Sequence, residues 1–476
     1  MDKEKLDQII ETWREDIVAD TQELIKIRSV KGSEAGECKP FGEEVAASLE
    51  YALSIGEKLG LKTKNLDGYA GYAEYGEGEE MVSILVHVDV VPEGDGWDYP
   101  PYGGQIHEGK IYGRGTVDNK GPAVAALYAV GALKESGLAL DRRVRVIIGA
   151  NEETGMKCLR YYKEKEELPV FGFAPDADYP IINTEKGIMT FALVKDFASI
   201  EKEEVKVVSL EGGTAPNSVP DYCEAVLEVN TSGRKAVGES LAQMKNIQQF
   251  DMDMEDQEKL IKIRSFGTAA HGSTPEQGQN AISQMMIFLN TLPLGQNETA
   301  RFVKDYVQFI GMEYNGQPMD IDFKDELSGS LVFNVGKAKM DENDAEVVVN
   351  IRYPVSFSGE QVVDGIDQAL KDTGIRLENL SDSPPHHVPE GHFLIQALSK
   401  VYEEMTGEKS YLIAIGGGTY ARMMPNSVAF GPGIPGQPDV AHKENEHISV
   451  ENLLLNTKIN ARALYELAGP GSLKKE

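Results

Sequence analysis

The sequence has few cysteines, and their spacing suggests no pairing. Cys38, Cys158 and Cys223 are the only three in 476 residues, and no CxxC motif occurs. An odd number of scattered cysteines argues against a disulfide framework and favours a reducing compartment.

Long apolar runs are also missing. No stretch approaches the roughly 18–20 consecutive apolar residues that a membrane-spanning helix needs. The N-terminal segment is charged throughout, and its apolar residues Leu6, Ile9, Ile10, Trp13 and Ile17 recur at helical spacing. The segment lacks the pattern of a signal peptide, so we expect a cytoplasmic protein.

Positive charge is scarce as well. The chain has 47 Lys and Arg against 77 Asp and Glu, which gives a formal net charge of −30, and no Lys/Arg-rich block occurs. Affinity for nucleic acid depends largely on Lys and Arg, so neither nucleic acid nor an anionic membrane surface is an expected partner. Small substrates and metal cations remain compatible with this charge.

The periodicity that is present predicts an α/β domain with an insertion. Helix patterns over about 40–60 and 120–136 alternate with strand patterns over 81–88, 143–150 and 171–176. Such alternation indicates a sheet with helices on its faces. Past about residue 187 the patterns change to antiparallel strands, over 202–210, 223–229, 328–340 and 345–355, with helices near 234–248 and 278–292.

Helix and strand patterns of the first type return from about residue 390. The length alone suggests two or three domains. We therefore expect a discontinuous α/β domain, 1–186 with 381–476, whose mixed, mostly parallel sheet is flanked by helices. An α+β domain with an antiparallel sheet is inserted over 187–380.

Polar side chains follow several of the predicted strands. The candidates are His87 and Asp89, Glu152 and Glu153, Asp176, Asp118 just before a helix, and His442 near the C-terminus. Ligands of open α/β sheets bind beyond the carboxyl ends of the strands. One such residue alone is more often a capping or hydrogen-bonded group. The set as a whole favours a dinuclear divalent-metal site, because imidazole suits zinc and a metal pair neutralises buried carboxylates.

The adjacent pair Glu152-Glu153 suggests a division of labour. Neighbouring residues on an extended segment point to opposite sides. One carboxylate can then bind metal while the other faces the substrate as a general base. The alternative is an ordinary acidic surface pair.

Five stretches together resemble a known family. HVDVVPEGDGW, YGRGTVDNKGPAVAALYA, ANEETGMKC, FAPDADYPIINTEKG and GGTYARMMPN occur in this order. They are similar to the aminoacylase/succinyl-diaminopimelate desuccinylase superfamily of dinuclear zinc metallopeptidases, and within it to PepV-type dipeptidases, over nearly the whole chain.

The resemblance implies a metal ligand set. Asp118 would bridge two zinc ions, with Mn or Co as alternative metals. His87 and Asp176 would complete the shell of one ion, and Glu153 and His442 that of the other.

The resemblance also implies two catalytic roles beside the metals. Asp89 would accept the free ring N–H of His87 and fix its tautomer, as metal-bound imidazoles usually require. Glu152 would be the general base.

The inserted domain of this family is a lid whose residues reach the substrate. Asn217 and Arg352 would hold the substrate's C-terminal end, since a guanidinium can bind a carboxylate through two hydrogen bonds. His271 would stabilise the oxyanion.

A glycine-rich stretch completes the implied substrate site. Gly417, Gly418 and Thr419 would let the backbone approach the substrate closely.

The activity implied is that of a metal-dependent dipeptidase, which hydrolyses short peptides with a free C-terminal carboxylate through a metal-bridging hydroxide. A monomer is expected because the large insertion resembles a self-contained lid, with a homodimer as the alternative. The rival functions are an N-acyl-amino-acid deacylase or carboxypeptidase-like hydrolase of the same superfamily, and a non-catalytic metal-binding protein. The intact Glu152 argues against the last, because a structural metal site needs no free base.

Overall fold

The computed structural model describes residues 2–197 and 203–472. The chain divides into two compact units. The first comprises residues 1–184, 387–414 and 418–476, and the second comprises 185–386 and 415–417. The predicted assignment of a catalytic domain to 1–186 and 381–476, and of a lid to 187–380, stays a prediction.

The core of the first unit is a nine-stranded mixed sheet. Its path runs through Lys62–Leu66, Ala70–Tyr75, Arg143–Gly149, Met81–His87, Phe171–Ala174, Ser427–Ala429, Ile181–Glu185 and His386–His387, with Leu412–Ile415 beside Ile181–Glu185. The four strands from Arg143–Gly149 to Ser427–Ala429 run parallel. Every residue of Met81–His87 is buried, as expected of a parallel strand covered on both faces.

Helices and short sheets complete the first unit. The helices are Asp2–Thr12, Arg14–Ile25, Glu43–Lys58, Lys120–Ser136, Lys157–Lys165, Phe393–Thr406 and Val450–Ala468, with a 3₁₀ turn at Tyr420–Met423. A three-stranded sheet joins Gln105–His107, Lys110–Tyr112 and His447–Ser449, and a two-stranded one joins Ala177–Asp178 to Pro432–Gly433. The helix Lys120–Ser136 is buried along almost its whole length, and its five alanines let neighbouring elements approach closely.

The second unit is built on an eight-stranded antiparallel sheet. Its strand order is Asp251–Gln257, Leu260–Phe266, Tyr222–Val229, Val205–Gly212, Val332–Met340, Asp344–Tyr353, Gly187–Asp196 and Arg376–Ser383. Its helices are Thr231–Gln243, extended by a π turn at Met244–Gln248, then Ala281–Asn290, Glu298–Phe309 and Gly359–Leu370. Smaller elements are the hairpin Lys324–Asp325 with Gly329–Ser330 and the 3₁₀ turns Pro275–Gln277 and Gln317–Met319.

The predicted fold class is confirmed: a mixed sheet flanked by helices accompanies a separate antiparallel sheet with its own helices. The helix predicted over 120–136 has those bounds, and strands were predicted to within about two residues at 81–88, 143–150 and 171–176. The hairpin of Lys62–Leu66 and Ala70–Tyr75 was not predicted, and it supplies antiparallel strands at one edge of the mixed sheet. Among the described residues, no helix is long and apolar enough to cross a membrane.

Candidate metal centre and active site

Three adjacent parallel strands deliver polar residues to one edge of the mixed sheet. His87 is the last residue of Met81–His87 and pairs with Gly149, the last residue of the neighbouring strand. Glu152 and Glu153 follow that neighbour, and Asp176 follows Phe171–Ala174 on the other side. The carboxyl ends of these strands therefore form a single cluster, as expected of a ligand site in an α/β sheet.

Asp118 lies between the two histidines of this cluster. Its Oδ1 is 3.0 Å from Nε2 of His87, and its Oδ2 is 2.9 Å from Nε2 of His442. A second carboxylate accompanies each imidazole: Asp176 Oδ1 lies 3.4 Å from His87 Nε2, and Glu153 Oε1 lies 3.3 Å from His442 Nε2. The five residues thus form two sets of donors that share one carboxylate.

The donor chemistry fits divalent metal ions. Nε2 of His87 is buried and makes no hydrogen bond to a described residue, although two carboxylate oxygens lie within 3.4 Å. Ligand atoms of His87, Asp118 and Glu153 all lie within 4.8 Å of one another. Imidazole nitrogens and carboxylate oxygens are donors that zinc takes in proteins.

Burial and close neighbours shift the pKa values of the groups in this cluster. Burial and the neighbouring carboxylates raise the pKa of Glu152 well above its ordinary value, and burial likewise raises the pKa of Glu153 and Asp176. Hydrogen bonds to Asp118 and Glu153 raise the pKa of His442 to about 11. Burial therefore disfavours the ionised forms of the Glu152, Glu153 and Asp176 carboxyl groups.

Opposing influences act on the two residues at the centre. Burial raises the pKa of Asp118, but the imidazoles of His442 and His87 outweigh it and hold that pKa below its usual range. Burial lowers the pKa of His87, but the carboxylates of Asp176 and Asp118 raise it well above its usual value.

Asp89 has different partners from those expected. The ring nitrogen Nδ1 of His87 lies 3.0 Å from the backbone carbonyl oxygen of Asp89, whereas the nearest Asp89 carboxylate oxygen is 3.5 Å away. The carboxylate instead accepts the backbone N–H of Glu152 (2.9 Å) and of Glu153 (3.2 Å). The carbonyl can thus fix the His87 tautomer, while the buried side chain anchors the glutamate pair.

Glu152 and Glu153 lie in a turn and not on an extended segment, in contrast to the prediction. The strand ends at Gly149. A hydrogen bond from the N–H of Met156 to the carbonyl of Asn151 (2.8 Å) then closes the turn that contains both glutamates. Alternation along a strand therefore does not separate the two carboxylates. Their positions come from the turn and from the Asp89 anchor.

Asn119 is a residue of the site that the sequence did not single out. It is fully buried, and its side-chain amide donates to Asp176 Oδ1 and to the carbonyl of Pro175, both at 2.7 Å. Its Oδ1 accepts the backbone N–H of His87 at 3.2 Å. In the sequence, only its position directly after Asp118, at the start of a helix, could have indicated that Asn119 belongs to the site.

A cavity of about 480 Å³ adjoins the cluster within the first unit. Asp118, Asp176, Lys110 and His447 are among the residues that line it. Both ring nitrogens of His447 contact groups other than the candidate metal ligands: its Nδ1 lies 2.8 Å from the carbonyl oxygen of Asn445, and its Nε2 lies 3.1 Å from Nζ of Lys110. The cavity is large enough to hold an amino-acid residue next to the metal ligands.

The second unit places Asn217 beside His271. The backbone N–H of Gly272 donates to the carbonyl of Asn217 (2.7 Å), and Ser218 forms a β-bridge with His271. Nδ1 of His271 accepts the N–H of Ser273 (3.3 Å) and lies 2.6 Å from its hydroxyl oxygen. An Nδ1 that accepts hydrogen bonds leaves the ring proton on Nε2.

Arg352 is the other predicted residue on the second unit. It lies on the strand Asp344–Tyr353 and is 5 % exposed. Its Nε donates to Asn350 Oδ1 and its Nη1 to the carbonyl of Gly416, both at 3.0 Å. The guanidinium is therefore held in a fixed orientation beside the glycine-rich stretch.

The glycine-rich stretch is divided between the two units. Gly417 belongs to the second unit, whereas Gly418 and Thr419 belong to the first. The Thr419 hydroxyl accepts the N–H of Ala421 (3.1 Å) and caps the 3₁₀ turn Tyr420–Met423. The first unit therefore contains all five predicted metal ligands, together with Asp89 and Glu152.

Comparison with known proteins identifies the family of the chain. Residues 84–466 match the model of peptidase family M20/M25/M40. The chain belongs to the M20 peptidase family. This M20 chain is 42 % identical over 458 residues to a Bacillus subtilis (strain 168) protein named "Putative dipeptidase YtjP", covering 96 % of the chain and 98 % of that protein.

A more distant relative of the M20 chain gives the same picture. The M20 chain is 35 % identical over 477 residues to this relative, "Putative dipeptidase SH1171" of Staphylococcus haemolyticus (strain JCSC1435), and the match covers 97 % of the chain and 99 % of the relative.

Solved structures share the fold at low identity. The dipeptidase Dug1p from Saccharomyces cerevisiae aligns with a TM-score of 0.58 and 13 % identity over 98 % of both chains. An M20 family metallo-carboxypeptidase from Sulfolobus solfataricus gives 0.56 and 17 % identity, covering 95 % of this chain and 99 % of that one. The M20 chain is thus a hydrolytic metallopeptidase of a metal-dependent family.

Proposed function

We propose that this M20 peptidase is a dipeptidase that cleaves short peptides with a free C-terminal carboxylate at a pair of zinc ions. The observation that carries the proposal is Asp118, whose two carboxylate oxygens each approach a different imidazole. One ion would be held by His87, Asp118 and Asp176, and the other by Asp118, Glu153 and His442. When bound, the two ions supply Lewis-acid assistance and lower the pKa of a water molecule.

Glu152 takes the proton of the attacking water and returns it to the leaving amine. Its side chain makes no hydrogen bond to a described residue, and its backbone is anchored by Asp89. Its neighbour Glu153 approaches His442. This arrangement supports a division between one metal-binding carboxylate and one proton-transferring carboxylate.

The second unit supplies the groups that bind the substrate's polar ends. His271 donates through Nε2–H to the oxyanion that forms at the scissile carbonyl, which agrees with its Nδ1 accepting from Ser273. Asn217 and Arg352 hold the C-terminal carboxylate of the substrate. The buried, fixed position of Arg352 suits a carboxylate better than a neutral terminus.

A substrate panel tests the proposal. Zinc-loaded and chelator-treated protein is assayed on dipeptides, tripeptides, N-acetyl amino acids and dipeptides with an amidated C-terminus. We expect dipeptides to have the highest kcat/KM, amidation to lower it strongly, and chelation to abolish activity that zinc restores. Preference for N-acetyl amino acids would instead identify a deacylase, and zinc binding without any turnover would identify a non-catalytic protein.

A further inference from the structure

Glu446 is a fully buried acidic residue that the mechanism above does not use. It lies close in sequence to His442, in the stretch HKENE. Its Oε1 accepts the backbone N–H of Val117 (2.8 Å) and of Asp118 (3.1 Å). Its Oε2 accepts the backbone N–H of Gly115 at 3.0 Å. A single carboxylate therefore holds three backbone amides of the loop that carries Asp118.

The backbone of Glu446 adds a further connection to the same loop. Its carbonyl accepts the N–H of Gly113 at 2.9 Å. Main chain and side chain of one residue thus bind the loop from Gly113 to Asp118.

Arg114 balances the buried charge and extends the connection. Its Nη1 donates to Glu446 Oε2 at 2.8 Å, and both side chains are at most 2 % exposed. Its Nη2 donates to the carbonyl of Glu93 at 3.2 Å, and its guanidinium lies 5.3 Å from the ring centre of Trp97. The ion pair therefore also reaches the loop that follows Asp89.

Stability alone does not explain this ion pair. Replacing a buried ion pair by apolar residues of similar volume is often neutral or stabilising. A carboxylate, however, offers acceptors for several backbone amides at once, and an apolar side chain offers none. The arrangement is therefore better suited to fixing a loop than to strengthening the fold.

We propose that Glu446 is a positioning residue of the metal centre: it joins the loop that presents Asp118 to the segment that presents His442. Asp118 must offer one oxygen to each side of the centre, so a rotation of its backbone would misplace both metal contacts. Glu446 prevents that rotation by accepting the N–H of Asp118 itself. The inference rests on the proposed two-metal site, since it assigns Glu446 a role only through those ligands.

The test compares metal binding by three variants and the wild type. Glu446→Gln removes the charge and half of the acceptor capacity with little change of shape. The double variant Arg114→Met/Glu446→Leu removes the ion pair with apolar replacements. Glu451→Gln is the matched control, because Glu451 also pairs with an arginine, Arg14, but its side chain is 76 % exposed. Each protein is measured for zinc content after dialysis, zinc affinity by chelator competition, and the visible spectrum of its cobalt form.

We expect Glu446→Gln and the double variant to bind zinc roughly 10- to 100-fold more weakly, as when other outer partners of metal ligands are removed. Their cobalt spectra should shift, which a loss of stability alone would not cause. Glu451→Gln should match the wild type in both measurements.

Wild-type affinity and an unchanged cobalt spectrum in either folded Glu446 variant would overturn the inference. If neither variant folds, Glu446 supports the whole fold and not the metal centre, and the inference is likewise overturned. A wild-type protein that binds no metal would instead refute the proposed function, so the two failures are distinguishable.

Discussion

At the scale of single residues, the carboxylates of the proposed metal site differ in their distances to the two imidazoles. Each carboxylate oxygen of Asp118 lies within about 3 Å of a different imidazole, whereas, among the contacts of the described residues, the nearest imidazole is that of His87 for Asp176 and that of His442 for Glu153. Loss of a shared ligand should therefore cost more metal than loss of a terminal one.

Replacing Asp118 by Ala should remove both zinc ions, whereas replacing Asp176 by Ala should weaken one ion much more than the other. The measurement is zinc content per chain after dialysis against a weak chelator. Equal stoichiometry in the two variants would contradict a bridging role for Asp118.

Replacing Glu152 by Gln should leave the zinc content unchanged and lower kcat by about 10²–10⁴, the range for loss of a general acid–base group. Steady-state kinetics on a dipeptide and metal analysis of the same sample check this. Wild-type turnover would exclude Glu152 as the base, and loss of zinc would make it a ligand instead.

At the scale of elements, the loop that carries Asn217 is fixed by a strand of the antiparallel sheet. Asn334, in Val332–Met340, is 1 % exposed, and its amide donates to the carbonyls of Pro216 (2.9 Å) and Ser218 (3.0 Å), on either side of Asn217. Gly272 approaches the backbone of Asn217 so closely that an added Cβ would lie 2.9 Å from it. Both contacts orient a side chain proposed to bind substrate.

Replacing Asn334 by Ala should therefore raise the KM for dipeptides about tenfold or more while zinc content stays at the wild-type value, since the loop loses both hydrogen bonds. Asn290→Ala, at the exposed end of the helix Ala281–Asn290, serves as the control. An unchanged KM in a folded Asn334→Ala protein would show that the loop needs no such support.

The sequence could predict the elements whose periodicity is strong and local. The helix Lys120–Ser136 and the strand Met81–His87 are predominantly apolar, and the polar residues at or beyond the ends of such strands marked the cluster. The turn at Glu152, the partners of Asp89 and the role of Asn119 could not be read in this way. They depend on backbone hydrogen bonds between segments that are distant in the chain, and no residue pattern encodes those.

At the scale of the whole molecule, the proposed metal centre should contribute to stability as well as to activity. Glu152, Glu153 and Asp176 are gathered in one cluster where burial raises the pKa of each. Ions that bind the folded chain and not the unfolded one add to its free energy of unfolding in proportion to RT ln(1 + [L]/Kd).

Removing the metal with a chelator should lower the midpoint of thermal unfolding by several degrees, and excess zinc should restore it. Because zinc at about 100 times its Kd adds about 2.7 kcal/mol, the shift should be easily resolved by calorimetry. Identical melting curves with and without chelator would show that the cluster binds no metal under those conditions.

The central claim is that Asp118 lies between two zinc ions. The most direct test is anomalous diffraction at the zinc absorption edge from crystals of the zinc-loaded protein. We expect two peaks roughly 3.5–4 Å apart, one next to each carboxylate oxygen of Asp118. A single peak at this carboxylate, or none, in zinc-saturated crystals would contradict the central claim.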